Sequence, residues 1–220
     1  MPTTLDAATA LVLIDLQRGI TALPTAHPAD DIVLCGAALA IVFREHHLPV
    51  VATRVAFSAD GGDVVRTRTA ADTPMVTFGT EGTVMQPELQ LDEGDILITK
   101  RGWNAFYGTE LDLQLRRRGI TGIVLAGIST SVGVESAARA AAERDYQLTI
   151  VTDAVTDTDL GAHKNSLEVI FPKIAELATT DEVIEALDAR SPQRAARTRT
   201  ANRSWSDIGQ HKRGAFYEEL

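Results

Sequence analysis

The chain has 220 residues, a net charge of −9, a hydrophobic fraction of 45% and a charged fraction of 23%, which suits one large domain around a single buried core. Its acidic balance argues against nucleic acid or an anionic membrane surface as main partner, because phosphate binding needs clustered Lys and Arg, and leaves small molecules as the expected partners. The lone Cys35 cannot form an internal disulfide, no apolar run approaches a membrane span, and the opening MPTTLDAATA lacks the charged-then-apolar layout of a signal peptide, so a cytoplasmic location is the default expectation.

Residues 10 to 14, ALVLI, form a short apolar run, as expected of a strand buried on both faces, and Asp15 follows at its carboxyl end. Asp30 and Asp31 open a helix-length segment that closes on His46 and His47, in agreement with the macrodipole at both ends, and Pro49 stops it. Cys35, on the apolar part of that helix, reads as a core residue, since buried structural thiols are inert. PVVATRV is the second strand. Residues 56 to 94 then weaken into Gly, Asp, Thr and Pro, with Arg66 and Arg68 among them; loops of such length are usually lids or binding loops.

ILIT is a third apolar run and ends at Lys100. The segment TELDLQLRRRG reads as a helix stopped by Gly119 and feeding a fourth strand at 121 to 127. That strand passes through the small turn Ile128-Ser129-Thr130-Ser131 into an Ala-rich helix. At such a junction free backbone N–H groups favour negative charge on a substrate or transition state. QLTIVTD gives a fifth strand ending at Asp153, followed by a helix near residues 163 to 170, a short strand around 174 to 178 and a helix from Asp181. The expected fold is a single-domain three-layer αβα sandwich over residues 1 to 189, with a Rossmann-like, mostly parallel sheet of about six strands. Residues 190 to 220 hold seven Lys or Arg against three Asp or Glu, where the rest holds 14 against 27. This basic tail is either mobile or docked through Trp205, Ile208, Phe216 and Tyr217 on the acidic body or a neighbouring subunit.

Asp15, Lys100 and the 128 to 133 turn converge on one edge of such a sheet. A carboxylate, an ammonium and a row of backbone donors are the parts of an acyl-transfer or general-acid site. Singly, Asp15 reads as a strand-end cap and Lys100 as a solvated charge; their shared edge favours the functional reading. Gln17, Arg54, Phe57, Trp103 and Phe106 flank the strand ends and are candidate substrate-binding residues, with Ser129 and Thr130 of the turn. Packing is the alternative for Trp103 and Phe106, and an acidic surface partner for Arg54. His27, His46, His47, His163 and His211 lack ligand spacing, so no metal is expected. No Gly-rich phosphate loop is present in the sequence, so no nucleotide cofactor is indicated.

The segments LVLIDLQ, ITKRGWNAFYGTELDLQLRRRGI, GIVLAGISTSVGVESAARAAAERDY and TIVTDAVTD resemble the successive motifs of the isochorismatase-like hydrolase superfamily, over roughly residues 8 to 188. The resemblance implies a catalytic Asp and Lys at Asp15 and Lys100, and a non-proline cis peptide between Ile128 and Ser129. In the cysteine hydrolases of the superfamily a nucleophilic Cys opens the central helix, where this chain has Gly133. Isochorismatases resemble the chain in carrying Gly there, and by that resemblance Asp15 acts as general acid on an enol ether while water captures the cation. Their turn, however, has a Tyr-Ala-His pattern where this one has Ser129-Thr130-Ser131. The Asp-x-His metal motif of some nicotinamidases is replaced by TRVAFSADGG. Three functions remain open: a non-covalent hydrolase of a small metabolite, an amidohydrolase using activated water, and a non-catalytic ligand-binding member of the fold. Family members commonly assemble, so a homo-oligomer, dimer or tetramer, is expected.

Overall fold

The computed structural model describes residues 4–70 and 77–190. Residues 191 to 220 of the basic tail, with its four apolar anchors, lie outside the described residues.

Strand β1 (Thr9–Ile14) leads through α1 (Arg18–Thr21) into α2 (Ala29–Glu45) and β2 (Val50–Val55). Helix α2 ends in a Schellman motif: His47 takes φ 57°, its N–H donates to the Arg44 carbonyl, and the Leu48 N–H reaches back to the Phe43 carbonyl. Pro49 follows and cannot continue the helix. The excursion after β2 holds two short 3₁₀ turns, Thr80–Thr83 and Pro87–Leu89, neither of which has a clear signal in the sequence. Then come β3 (Ile96–Lys100), α3 (Leu111–Arg117), β4 (Gly122–Ile128), a π-helical turn (Thr130–Val134), α4 (Glu135–Ala142) and β5 (Gln147–Thr156). Helix α5 (Leu160–Asn165), the π turn Ser166–Ile170, β6 (Glu176–Ala178) and α6 (Thr180–Asp188) are the last of the elements named among the described residues.

All six strands are parallel and lie in the order β3-β2-β1-β4-β5-β6. The order reverses between β1 and β4, so the crevice outside their carboxyl ends is the switch point at which open α/β sheets take ligands. Period-two alternation sends Ala10, Val12 and Ile14 into the core under α3 and α4, and Leu11 and Leu13 into the core under α2 and α6. The strands are therefore apolar on both faces, and the three-layer expectation holds. Among the described residues no helix is long and apolar enough to cross a membrane.

Gly127 is required where β1 and β4 meet. Its φ is +129°, and a Cβ there would lie 2.1 Å from the Ile14 carbonyl oxygen. Strand β5 departs from expectation. It continues past Asp153 to Thr156, because its register against β4 shifts: Leu125 pairs with Ile150 but Gly127 with Val155. Asp153 instead accepts from the Thr180 N–H and hydroxyl at the start of α6, and the residue at the strand's end is Asp157.

Candidate active site

Asp15 leaves β1 with φ 52°, a left-handed conformation that turns its side chain across the sheet edge. Its N–H donates to the Thr53 carbonyl of β2 at 3.1 Å, and its Oδ1 accepts from Thr53 Oγ1 at 2.8 Å. Its Oδ2 sits 2.6 Å from Lys100 Nζ, at the end of β3. The ammonium donates also to the carbonyls of Gly102 and Trp103, each at 3.0 Å, so its three protons have three acceptors. Asp15 is 3% and Lys100 1% exposed. Burial pushes the Asp15 carboxyl above its usual value, with Lys100 and the Thr53 hydroxyl acting in the opposite direction.

Beside this pair stands the turn after β4. The Ile128-Ser129 peptide is cis. A Cβ built on Gly133 would lie 3.4 Å from Asp15 Oδ2 and 2.9 Å from Ile14 Cγ2. The first side-chain atom of any residue at 133 would thus touch the carboxyl. The free row of turn donors expected from the sequence is only partly there, since the N–H groups of Val132 and Val134 both donate to the Ser129 carbonyl and that of Ser131 to Asp157 Oδ2.

The candidate substrate contacts divide. Gln17 is fully buried, and its amide is committed to the backbone: Oε1 accepts from the Val55 N–H, and Nε2 donates to the carbonyls of Val55 and Gly82. It braces the excursion against β1 instead of presenting a free amide to a ligand. Arg54 donates from Nε to Thr99 Oγ1, its register partner. Thr99 points to the pleat opposite Lys100, which places Arg54 across the sheet from Asp15. Phe106 is 6% exposed and packs on Tyr146 with ring centroids 6.0 Å apart, a core contact. Thr130 is fully buried and 2.9 Å from His163 Nδ1. Phe57 and Ser129 are half-buried at the strand ends, and Trp103, 60% exposed, contributes its carbonyl to Lys100.

Sequence reasoning missed four residues that shape the site: Thr53, His27, Asp157 and His163. The alternation of PVVATRV could have aimed Thr53 at the face that Lys100 uses, and the run AVTD marks Asp157 as a strand end. His27 and His163 have no such signal, being far apart in the chain. Their rings nonetheless sit 4.9 Å apart, with His27 Nδ1 3.0 Å from Thr156 Oγ1. Thr130 and His163 have the contact of a hydroxyl nucleophile and its base, with Thr130 fully buried. Among the described residues no group of three His, Cys, Asp or Glu could hold a metal ion.

Comparison with known proteins places this geometry. A family model described as the isochorismatase domain matches residues 9–182. The isochorismatase family protein YecD of Escherichia coli O157:H7 is 44% identical over 182 residues, covering 81% of this chain and 96% of that protein. A solved structure of an isochorismatase family protein from Burkholderia thailandensis superposes with a TM-score of 0.82 at 41% identity, covering 85% of this chain and 99% of the other. The ureidoacrylate amidohydrolase RutB of Methylorubrum extorquens is 30% identical over 131 residues, 57% of this chain and 52% of that protein.

Proposed function

The chain belongs to the isochorismatase family of hydrolases, and on that premise we propose that it hydrolyses a small metabolite without a covalent enzyme intermediate. Asp15 is the general acid and base, and Lys100 its electrostatic partner. The observation that carries this reading is the 2.6 Å Asp15–Lys100 contact, buried and facing Gly133, where the first atom of a side chain would lie 3.4 Å from the carboxyl. Glycine has no atom to form an ester or thioester. Ser131 Oγ, the turn hydroxyl nearest to Gly133 along the chain, is hydrogen-bonded at 2.8 Å to Asp157. The raised Asp15 carboxyl favours a group that holds a proton to give.

In this mechanism Asp15 transfers its proton to the substrate, as it would to the carbon of an enol ether. Water adds to the resulting cation, and the proton it sheds returns to Asp15; the hemiketal so formed then collapses, its C–O bond to the ether oxygen breaking as the hydroxyl proton passes to that oxygen, which releases the carbonyl product and the alcohol. Lys100 holds the carboxyl in place and stabilises the anion that exists between the two transfers. Phe57, Trp103 and Ser129 are the wall residues retained in the proposal. The test is isochorismate turnover by the purified chain, followed as pyruvate release. The expected result is turnover that Asp15→Asn lowers by about 10²–10⁴-fold, the usual worth of a positioned acid or base. No pyruvate from the wild-type chain removes that substrate.

The similarity to RutB favours a second reading, an amidohydrolase whose water sits against Gly133. Gly133→Cys would then place a thiol beside Asp15 and raise amide hydrolysis. A folded variant with no gain on ureido and carboxamide substrates counts against it.

A further inference from the structure

The turn that sets Gly133 against Asp15 is gripped on its other side by groups that the proposed reaction does not use. Thr130 Oγ1 and His163 Nδ1 are 2.9 Å apart, and both residues are buried. Ser131 donates its N–H and its hydroxyl to Asp157 Oδ2 at 2.6 and 2.8 Å. His27 lies against the His163 ring and bonds Thr156. Two consecutive residues of the turn, just ahead of Gly133, are therefore tied by side-chain bonds, Thr130 to α5 and Ser131 to the segment that joins β5 to α5. We propose that His163 is a positioning residue of this site, which through Thr130 fixes the turn that seats Gly133 against Asp15. The inference rests on the reading of Asp15 and Gly133 as the reacting centre.

The imidazole couples this grip to its own charge. A neutral ring can accept the Thr130 hydroxyl proton at Nδ1 or donate to the oxygen, according to tautomer, whereas an imidazolium can only donate. In the accepting tautomer, protonation reverses the bond and sends the Thr130 hydroxyl proton to another acceptor. The groups that face His163 are His27 from the loop before α2, Asp157 after β5 and Lys164 on α5 itself. Glu135 of α4 is engaged nearby by Ser166 and Arg139. Burial and the neighbouring His27 hold His163 below its ordinary value, against the pull of Asp157. The ring is neutral near pH 7 and takes up its proton only in acid.

The experiment follows the backbone amide resonances of Gly133 and Gly127, and the ring protons of His163, in the full chain from about pH 8 to about pH 5, the range in which a histidine titrates. In the wild type the Gly133 amide is expected to shift with the His163 midpoint. Thr130→Val, which keeps the shape and removes the hydroxyl, should uncouple the two while His163 still titrates, and Thr130→Ser should restore the coupling. His163→Asn puts a non-titrating polar group near the Nδ1 position and should abolish the transition; it carries the comparison if Thr130→Val does not fold. A Gly133 amide that ignores the His163 midpoint, or follows it equally in Thr130→Val, overturns the proposal. With a working substrate, Thr130→Val should lower kcat about tenfold at unchanged KM; a loss of stability without that split assigns His163 to packing alone. Because the amide readout needs no substrate, absence of turnover in the wild type counts against the hydrolase reading and leaves this one standing.

Discussion

Residues 128 to 134 separate two polar clusters built on different principles. On one side Asp15 and Lys100 meet at 2.6 Å, with Thr53 and two backbone carbonyls completing their bonds. On the other side Asp157 collects N–H and hydroxyl donors, while the hydroxyls of Thr130 and Thr156 bond the rings of His163 and His27. A buried ion pair is weak evidence for stability, because desolvating two charges offsets most of their attraction. The fold has no structural need of charges at the ends of β1 and β3. A saturated network of short side chains, by contrast, rigidifies the backbone it touches. On the reading proposed above, the Asp15–Lys100 side carries the chemistry, and the second side sets the shape of the turn between them.

The largest break in that contrast comes from Lys100→Met. It leaves the Asp15 carboxyl buried without its cation, and removing one partner of such a pair costs about 3–5 kcal/mol. Urea unfolding should show that loss, together with no turnover. A change below about 1 kcal/mol, the worth of a solvated pair, would mean that water reaches the site and that the two sides are less different than their burial indicates. The middle-sized effect belongs to the other side. Asp157→Ala removes the acceptor of two bonds from Ser131, and hydrogen bonds to a charged group contribute about 1.5–3 kcal/mol. Unfolding should register that cost, and the Gly133 amide should shift although Asp157 does not touch it. An unmoved Gly133 amide would detach the second cluster from the site.

How much of this was legible in the sequence follows from the same contrast. Asp15 and Lys100 could be found because each ends an apolar run, and a charge at that point of a parallel sheet lies on the ligand edge. Gly133 could be placed because the family resemblance sets its nucleophile position at the start of the central helix, where this chain has glycine. The second cluster depends on contacts that no local pattern encodes. His27 and His163 meet only once α2 and α5 are packed, and Asp157 was displaced from the expected strand end by the register shift between β4 and β5. Gln17 and Arg54 failed as ligand contacts for related reasons. The partner of Gln17 is Gly82, in an excursion whose path the sequence does not constrain, and the face that Arg54 takes is settled by pairing with Thr99.

The smallest expected effect is the most specific, because acid acts on the two sides with opposite sign. Asp15 is held above its unfolded value near 3.8, so between that value and its raised one the native chain binds more protons than the unfolded chain. Its contribution to stability is therefore greatest in acid and falls as pH rises through the raised value. His163 is held below its unfolded value near 6.5, so there the unfolded chain binds more protons, and stability is lost as pH falls through 6.5. Urea midpoints measured from about pH 5 to about pH 8 should separate the two, since a tenfold change in proton affinity on folding is worth about 1.4 kcal/mol. Subtracting the His163→Asn curve from the wild type should leave a difference that grows more destabilising toward acid. The Asp15→Asn difference should run the other way, growing more destabilising for the wild type as pH rises. Two differences of the same sign would mean that the clusters titrate as one unit across the turn, and that a proton on His163 is felt directly by Asp15 instead of through the backbone between them.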